Sequence, residues 1–251
     1  MVKIIIEHLS LQYSDGTESL KDISLDISTN AISVLFGPAG GGKSTLLRTI
    51  NRLNDIADVK EVKGRVLLDG VNILDPKTDV ISLRRRVGLV FARPVVLPLT
   101  VRGNLTYGLE MAGERHKSRL EEAVERSLRQ AALWEEVMGR LEDPAVSLSG
   151  GQQQRLCLAR SLALAPEVIM LDEPTSGLDP ISTAKVEATL QELKHQYTII
   201  LVPHSVQQAA RVADVAAFFL QGELIETAPG KTLFTSPRDK RTEDYVVGRF
   251  G

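Results

Sequence analysis

The stretch GPAGGGKS at residues 37–44 has the residue types and the spacing needed to hold a chain of phosphates. It fits G-x-x-x-x-G-K-[ST], which is typical of a phosphate-binding loop when a strand precedes it and a helix follows. Its glycines let backbone N–H groups surround phosphate oxygens without Cβ clashes. We expect Lys43 to neutralise the β- and γ-phosphates and Ser44 to ligate Mg²⁺. The alternative, a plain glycine-rich turn, is disfavoured because strand, lysine and serine are all in register.

Two acids follow the apolar run VIML at residues 168–171. Asp172, directly after this run, is expected to hold Mg²⁺ through water. Glu173 comes next, where its carboxylate can orient or deprotonate the attacking water. Two ordinary acids at the start of a loop are the alternative, but the apolar strand and the turn sequence PTSGLDP favour a catalytic role.

Two further side chains have two interpretations each, and a third, the only cysteine, has one. His204 follows the run TIILVP, and because this strand is expected to border the phosphate-binding loop, we favour a γ-phosphate contact over a structural role. Tyr13 lies in the N-terminal β region, where it either stacks on adenine or packs as a surface tyrosine. Cys157 lies on an apolar helical pattern and is predicted to be buried and inert.

A second anion-binding pattern occurs in the stretch SLSGGQQQR. Its residues Ser149, Gly150, Gly151 and Gln152 begin a helical pattern, and exposed N–H groups at a helix start favour an anion. They lie in a different part of the chain from Lys43. If that part projects away from the loop, one nucleotide cannot contact both sites within one chain. Two chains placed head to tail would solve this, because each would cover the other's γ-phosphate.

Short apolar runs without alternation indicate strands buried on both faces, as in a parallel sheet covered by helices. The runs are 31–36, 87–91, 168–171, 198–202 and 215–220, and helical patterns occur at 43–53, 181–196 and 205–213. Asp179 is a plausible N-cap of the second helix. The runs around Asp15-Gly16 predict an N-terminal antiparallel β region, and FFLQGELIE predicts a hairpin with its turn at Gln221-Gly222. The alternation of strands and helices predicts an α/β fold.

Residues 101–165 carry no convincing strand, so we expect a helical insertion there. The stretch SRLEEAVERSLRQAALWEEVM predicts a helix with one apolar face. That face comprises Leu120, Val124, Leu128, Ala131, Trp134 and Met138. We expect one domain over residues 1–251, with a RecA-like P-loop NTPase core at 1–91 and 166–251 and a helical subdomain at about 92–165.

The bulk composition narrows the possible functions. A chain of 251 residues with 43% hydrophobic and 25% charged residues is typical of a globular protein with a substantial core. The net charge of −2 disfavours a general nucleic-acid binder, and the single cysteine fits a reducing compartment. No segment approaches the roughly 18 apolar residues of a membrane span, so we expect any membrane role to come through a partner.

The phosphate-binding loop, LSGGQQQR, VIMLDEPTSGLDP and LVPHS occur in the order and spacing of the ATP-binding subunit of ABC transporters, which this chain resembles over residues 13–251. The resemblance implies a head-to-tail homodimer sandwiching two ATP with Mg²⁺, in which the signature residues 149–152 act on the other chain's ATP. It implies Glu173 as general base, His204 as γ-phosphate switch and Asp179 as a dimer contact. The loop residues that it assigns to the ATP site are Gly37, Pro38, Ala39, Gly40, Gly41, Gly42, Lys43, Ser44 and Thr45.

A narrower resemblance is carried by LLRTINRLNDI, by AARVADVAAFFLQGELIE and by the final stretch TEDYVVGRFG, which are similar to the ATP-binding subunit of bacterial phosphate importers. It implies two such chains driving two multi-span permease subunits at the cytoplasmic face of the inner membrane, supplied by a periplasmic phosphate-binding protein. No residue of this chain would touch the transported ion, so an importer of another oxyanion remains an alternative.

Several positions depart from the family pattern. Ala92 stands where the family usually has a glutamine that contacts Mg²⁺ and water. Ala39 replaces a serine, Pro203 replaces a threonine, and VVLP at 95–98 replaces the N-P-F-P of phosphate importers. We expect hydrolysis to be retained because the base, the lysine and the metal ligands remain. A weakly hydrolysing or regulatory ABC ATPase is the alternative.

Two other classes fit the sequence less well. ABC ATPases that act on nucleic acid or ribosomes usually carry a long coiled coil or two cassettes, and this chain has neither. A GTPase switch would need an Asn-Lys-x-Asp motif, which does not occur, and would leave LSGGQQQR unexplained. We therefore predict a transporter motor with no nucleic-acid partner.

Overall fold

The computed structural model describes residues 1–249, so the last two residues of the stretch TEDYVVGRFG lie outside the described part. Its strands are β1 (Val2–Tyr13), β2 (Glu18–Ser28), β3 (Ile32–Phe36), β4 (Val59–Leu68), β5 (Val71–Asn72), β6 (Val87–Val90), β7 (Val168–Asp172), β8 (Thr198–Val202), β9 (Val215–Leu220) and β10 (Glu223–Pro229). Its helices are α1 (Lys43–Ile50), α2 (Val80–Arg86), α3 (Val101–Met111), α4 (Lys117–Gln130), α5 (Trp134–Val137), α6 (Gly150–Ala163), α7 (Pro180–Leu193), α8 (Val206–Val212), α9 (Gly230–Thr235) and α10 (Lys240–Val246).

The central sheet has the strand order β10-β9-β3-β8-β7-β6. All neighbours pair in parallel except β10, which forms the predicted antiparallel hairpin with β9. Each apolar run predicted as a buried strand lies in this sheet. Along β8, Ile199 and Leu201 face one core cluster while Ile200 and Val202 face the other, so both faces are covered. The predicted α/β fold is confirmed.

A second sheet has the strand order β2-β1-β4-β5. Its strands β1 and β2 precede the phosphate-binding loop in sequence, and β4 and β5 follow α1. The antiparallel pairing of β1 with β2 was predicted, but β4 was not. Most of β4 is exposed, and only Val66 and Leu68 are buried near its end. An exposed edge region with Gly64 in its middle has no alternating apolar pattern, which is why the sequence did not reveal it.

The helices α3 to α6 lie between β6 and β7, and no strand occurs among the described residues of this insertion. The predicted single helix ending at Met138 is wrong beyond Gln130. Ala132 adopts φ 50, and the N–H of Leu133 bonds to the carbonyl of Leu128 at 2.9 Å. This is a Schellman motif, which ends a helix, and Met138 is consequently 54% exposed.

The helix α7 begins as the sequence predicts. The side chain of Asp179 accepts hydrogen bonds from the N–H groups of Ile181 and Ser182, and Pro180 occupies the first turn. The helix after the phosphate-binding loop is shorter than predicted, because α1 ends at Ile50 and Arg52 adopts φ 61. Within residues 1–249, no helix combines the length and the apolar character needed to cross a membrane.

Candidate functional site

The phosphate-binding loop joins the C-terminal end of β3 to α1, as predicted. Lys43 is the first residue of α1 and is 9% exposed. Its Nζ donates to the carbonyl oxygens of Gly37 at 2.8 Å and Pro38 at 2.7 Å. The ammonium therefore folds back across the loop. Residues 39–45 line an open cleft of about 240 Å³ together with Ser19 and Glu173.

The chain itself requires glycine at position 42. Gly42 adopts φ 95, a left-handed conformation that other residues rarely adopt, immediately before α1. A Cβ atom here would lie 2.3 Å from the carbonyl oxygen of Ser19. Both the backbone angle and the close approach of β2 exclude a side chain, so the shape of the loop is fixed within one chain.

The two predicted acids lie beside the loop. The hydroxyl of Ser44 donates to Oδ1 of Asp172 at 3.0 Å, which joins the start of α1 to the end of β7. Burial lowers the pKa of Lys43, and the nearby carboxylates of Glu173 and Asp172 partly oppose this effect. A hydroxyl and a carboxylate oxygen side by side are ligands that Mg²⁺ prefers, so this pair fits the metal.

Glu173 has a strained backbone. Its φ is 48, and its N–H donates to the carbonyl oxygen of Val202 at 2.8 Å. A left-handed conformation costs a non-glycine residue about 1–2 kcal/mol, and such strain clusters at functional sites. The bend ends β7 and leaves the side chain of Glu173 at the wall of the cleft.

His204 lies two residues after Val202, the residue that pairs with Asp172 between β8 and β7. Its side chain is exposed. Its backbone N–H donates to the side-chain oxygen of Gln208 at 2.9 Å, and Gln208 also bonds to the hydroxyl of Thr175. The loop that carries His204 is thus held beside the acids, and its γ-phosphate contact remains a prediction.

Tyr13 is close to the nucleotide cleft. Its hydroxyl lies 3.3 Å from Oγ1 of Thr45, which is also 2.7 Å from the hydroxyl of Ser19. These contacts tie β1 and β2 to the first turn of α1. The ring is half-buried, so stacking on adenine remains a prediction.

The signature residues form the N-terminus of α6. Ser149 is the N-cap: its side chain accepts from the N–H of Gln152, and its own N–H donates to Oε1 of Gln152 at 3.0 Å. Ser149 and Gly150 are exposed. The cleft at the phosphate-binding loop is lined by none of residues 149–152. The structure therefore does not bring the two predicted phosphate sites into one cleft.

Ala92 is half-buried on the loop after β6. The preceding carbonyl, of Phe91, accepts a hydrogen bond from the side chain of Gln154 at 2.9 Å. This segment borders a groove of about 340 Å³ between the edge of the central sheet and the helices α3 and α6. Arg84, Arg93 and Arg160 line the groove beside exposed Phe91.

Sequence reasoning missed two polar residues that support the site. Gln208 is 2% exposed and links the loop of His204 to Thr175, and Ser19 contacts Thr45. Neither has a motif around it. The one available signal was a glutamine on the otherwise apolar inner face of α8, beside Ala209 and Val212.

The parallel sheet, the loop after β3 and the acid at the end of β7 together define an α/β P-loop NTPase fold. Residues 20–176, more than half of the chain, match the family model described as ABC transporter. The chain therefore belongs to the ABC transporter family, and it contains that family's ATP-binding ATPase domain.

The chain is similar to many solved structures, including the following three. CbiO1 from Clostridium perfringens, described as part of the ABC transporter complex CbiONQ, is 26% identical, with TM-score 0.82 and coverage of 99% of this chain and 96% of that one. The ATP-binding cassette MJ0796, described as a dimer in a post-hydrolysis state with ADP and Pi, is 27% identical, with TM-score 0.78 and coverage of 91% and 99%. A bacterial Atm1-family ABC exporter with ATP bound is 24% identical, with TM-score 0.82 and coverage of 100% and 42%, and this likeness concerns the fold alone.

Proposed function

We propose that this chain is the motor subunit of an ABC importer for inorganic phosphate and works as a head-to-tail homodimer. ATP closes the dimer, and hydrolysis reopens it. Two multi-span permease subunits hold the motor at the cytoplasmic face of the inner membrane, and a periplasmic phosphate-binding protein supplies the cargo. The observation that carries the motor role is the hydrogen bond of Ser44 to Asp172, which joins loop and acid in one site.

Each site residue has a defined task in this proposal. Lys43 and the loop amides hold the β- and γ-phosphates, while Ser44 and Asp172 hold Mg²⁺. Glu173 deprotonates the attacking water, and His204 contacts the γ-phosphate. Tyr13 stacks on the adenine. Bound Mg²⁺ would neutralise charge on the transferred phosphoryl group.

The glycine at position 150 supports action on a second chain. A Cβ atom on Gly150 would meet nothing within 4 Å, and its φ is not positive. Alanine is favoured over glycine in a helix, so nothing within one chain requires glycine here. A phosphate approaching from outside the chain does require it, because close contact with backbone N–H groups leaves no room for a Cβ atom. The dimeric state of the similar cassette MJ0796 supports the same arrangement.

The groove beside Ala92 is the proposed contact with the permease subunits. It combines exposed Phe91 and Tyr107 with Arg93 and Arg160, and such a surface suits an amphipathic helix. The place of the similar CbiO1 in a transporter complex is consistent with a membrane assembly. Phosphate as cargo rests on the sequence stretches shared with phosphate importers, and another oxyanion is the alternative.

Purification from membranes tests this function. The tagged Glu173→Gln variant should retain two hydrophobic multi-span proteins, and their genes should be needed for phosphate uptake. Uptake of labelled phosphate should stop with Glu173→Gln and continue with Glu192→Gln, a variant of α7 away from the cleft. Uptake that survives Glu173→Gln would contradict the proposal, and loss of sulfate uptake instead would assign another oxyanion.

A second candidate function is favoured by Ala92 and Ala39. Both positions lack the polar side chains that the family usually has there, and a slow ATPase would suit a regulatory subunit that binds ATP without powering transport. ATP turnover of the isolated chain separates the two. A motor hydrolyses ATP repeatedly, whereas a regulatory subunit binds it with little turnover.

A further inference from the structure

A carboxylate that no motif marks lies at the centre of the contacts around the signature. Glu136 of α5 accepts hydrogen bonds from three side chains that come from two other helices. Oε2 accepts from the amide of Gln152 at 3.1 Å, and Oε1 accepts from Lys185 of α7 at 2.6 Å. Arg155 donates to both oxygens at 2.9 Å. These contacts lower the pKa of Glu136 to about 2, chiefly through Arg155.

The bond to Gln152 determines which way its side-chain amide points. Because the amide nitrogen donates to Glu136, the amide oxygen faces the N–H of Ser149 and accepts from it at 3.0 Å. A flipped amide would place two donors against each other at Ser149 and two acceptors against each other at Glu136. Glu136 thus selects the rotamer that completes the capping box of α6.

The bond to Lys185 ties the start of α6 to α7. The first turns of these helices already lie in close contact, because a Cβ atom on Gly151 would be 2.6 Å from the hydroxyl of Ser182. The helix α7 follows Asp179 and the loop of Glu173. Glu136 therefore links the helical insertion to the element that follows the catalytic acid. With two cations on one carboxylate, the cluster keeps a positive charge near the proposed phosphate site.

We infer that Glu136 is a positioning residue: it fixes the amide of Gln152 and holds the signature against α7, so that Ser149 and Gly150 reach the partner chain's ATP in one defined orientation. This role rests on the proposed head-to-tail dimer. A carboxylate that only stabilised the fold would affect unfolding and leave dimerisation of the folded chain unchanged.

The test uses ATP-driven dimerisation of the Glu173→Gln chain, measured by sedimentation equilibrium. Adding Glu136→Gln should weaken the dimer by about tenfold or more, the usual effect of losing hydrogen bonds to a charged group. ATP affinity of the monomer should stay the same, because Lys43 and the loop are intact. The matched control is Glu135→Gln, an exposed neighbour on α5 that pairs with Arg129, and it should dimerise normally.

Glu136→Gln leaves the buried Arg155 without its carboxylate, which can itself disturb folding. Lys185→Gln is therefore used as a second variant that tests the same role. Lys185 is exposed, and its loss keeps the pair of Arg155 with Glu136. This variant should fold normally and still weaken the dimer. The control Lys194→Gln breaks an ion pair at the far end of α7, and it should fold normally and dimerise like the parent chain.

The outcomes separate two failures. If the Glu173→Gln chain dimerises with ATP and both Glu136→Gln and Lys185→Gln dimerise equally well, the role of Glu136 is wrong and the proposed function stands. If the Glu173→Gln chain binds ATP and stays monomeric, the head-to-tail dimer is wrong and the role of Glu136 is wrong with it.

Discussion

The two predicted phosphate-binding regions of this chain are built in different ways. At the P-loop, Gly42 has a left-handed backbone and the carbonyl of Ser19 close by, so the chain itself requires glycine. At the signature, Gly150 has ordinary backbone angles and open space around it. The P-loop is a completed cradle, with Lys43 folded across it. The signature is an exposed helix start with no phosphate cradle of its own.

This difference indicates where each region acts. A site whose shape is fixed by its own chain can bind nucleotide before any partner arrives. A site that leaves N–H groups exposed and glycine unexplained needs a ligand presented by something else. The proposed dimer supplies it, because the phosphates on one P-loop lie against the other chain's signature.

The largest expected effect is the loss of ATP hydrolysis in the Glu173→Gln variant, whose substitution lies beside the P-loop. Glu173→Gln removes the proposed general base and should slow ATP hydrolysis by about 10²–10⁴-fold, while ATP affinity changes little. Steady-state turnover and equilibrium ATP binding measure the two quantities. The control is Glu192→Gln, which should match the wild type. Normal turnover of Glu173→Gln would show that another group activates the water.

The next largest expected effect is an increase in kcat for the Ala92→Gln variant. Glutamine at position 92 can ligate Mg²⁺ through its carbonyl and orient water through its amide, and alanine offers neither. Restoring one positioning contact commonly lowers a barrier by about 2–3 kcal/mol, so Ala92→Gln should raise kcat by roughly 10²-fold with little change in ATP affinity. Ala112→Gln, a substitution just after α3, should leave kcat unchanged. If the wild type already turns over fast and Ala92→Gln is no faster, position 92 does not limit the enzyme.

Alanine substitutions at Gly42 and Gly150 should affect different properties of the chain. Gly42→Ala forces a left-handed alanine, at about 1–2 kcal/mol, and adds a clash with Ser19. It should destabilise the monomer and reduce ATP affinity at least about tenfold. Gly150→Ala should not lower the stability of the monomer in urea, should leave monomer ATP affinity unchanged, and should block dimerisation. Equal effects of the two variants on the monomer would remove the distinction between the regions.

The smallest effect concerns helix capping at the signature. Ser149→Ala removes the N-cap of α6 and should lower the free energy of unfolding by about 1 kcal/mol. Thr100→Ala removes the N-cap of α3, where the side chain accepts from Gly103, and should cost a similar amount. Urea unfolding compares them. Only Ser149→Ala should also weaken ATP-driven dimerisation, and an equal loss in Thr100→Ala would reduce the role of Ser149 to capping.

The sequence predicted the parts of the fold whose signals are local. Continuous apolar runs gave the parallel strands, and glycine spacing before Lys43 located the loop. Asp179 and Pro180 located the start of α7. The break after Gln130 was missed because no glycine or proline marks it, and Ala132 adopts the left-handed conformation instead. The strand β4 was missed because its side chains are mostly exposed.

The candidate site likewise contains residues that the sequence revealed and residues that it did not. The loop and its acids form a recognisable pattern because phosphate chemistry dictates residue types at fixed spacing. Gln208 and Glu136 were missed because their partners lie far away in sequence, at Thr175, Gln152 and Lys185. Such contacts become visible only when the helices are placed side by side.

The signature of one chain is proposed to act on the ATP of another, and a comparison of two variants tests this. The Glu173→Gln chain and the Glu173→Gln/Ser149→Arg chain are compared with Mg-ATP by sedimentation equilibrium, with bound ATP counted per chain. We expect the first to form a dimer with one ATP on each P-loop, and the second to bind ATP with the same affinity and remain monomeric. If Ser149→Arg weakens ATP binding to the monomer itself, or if the double variant still dimerises, the signature does not act on a partner's nucleotide.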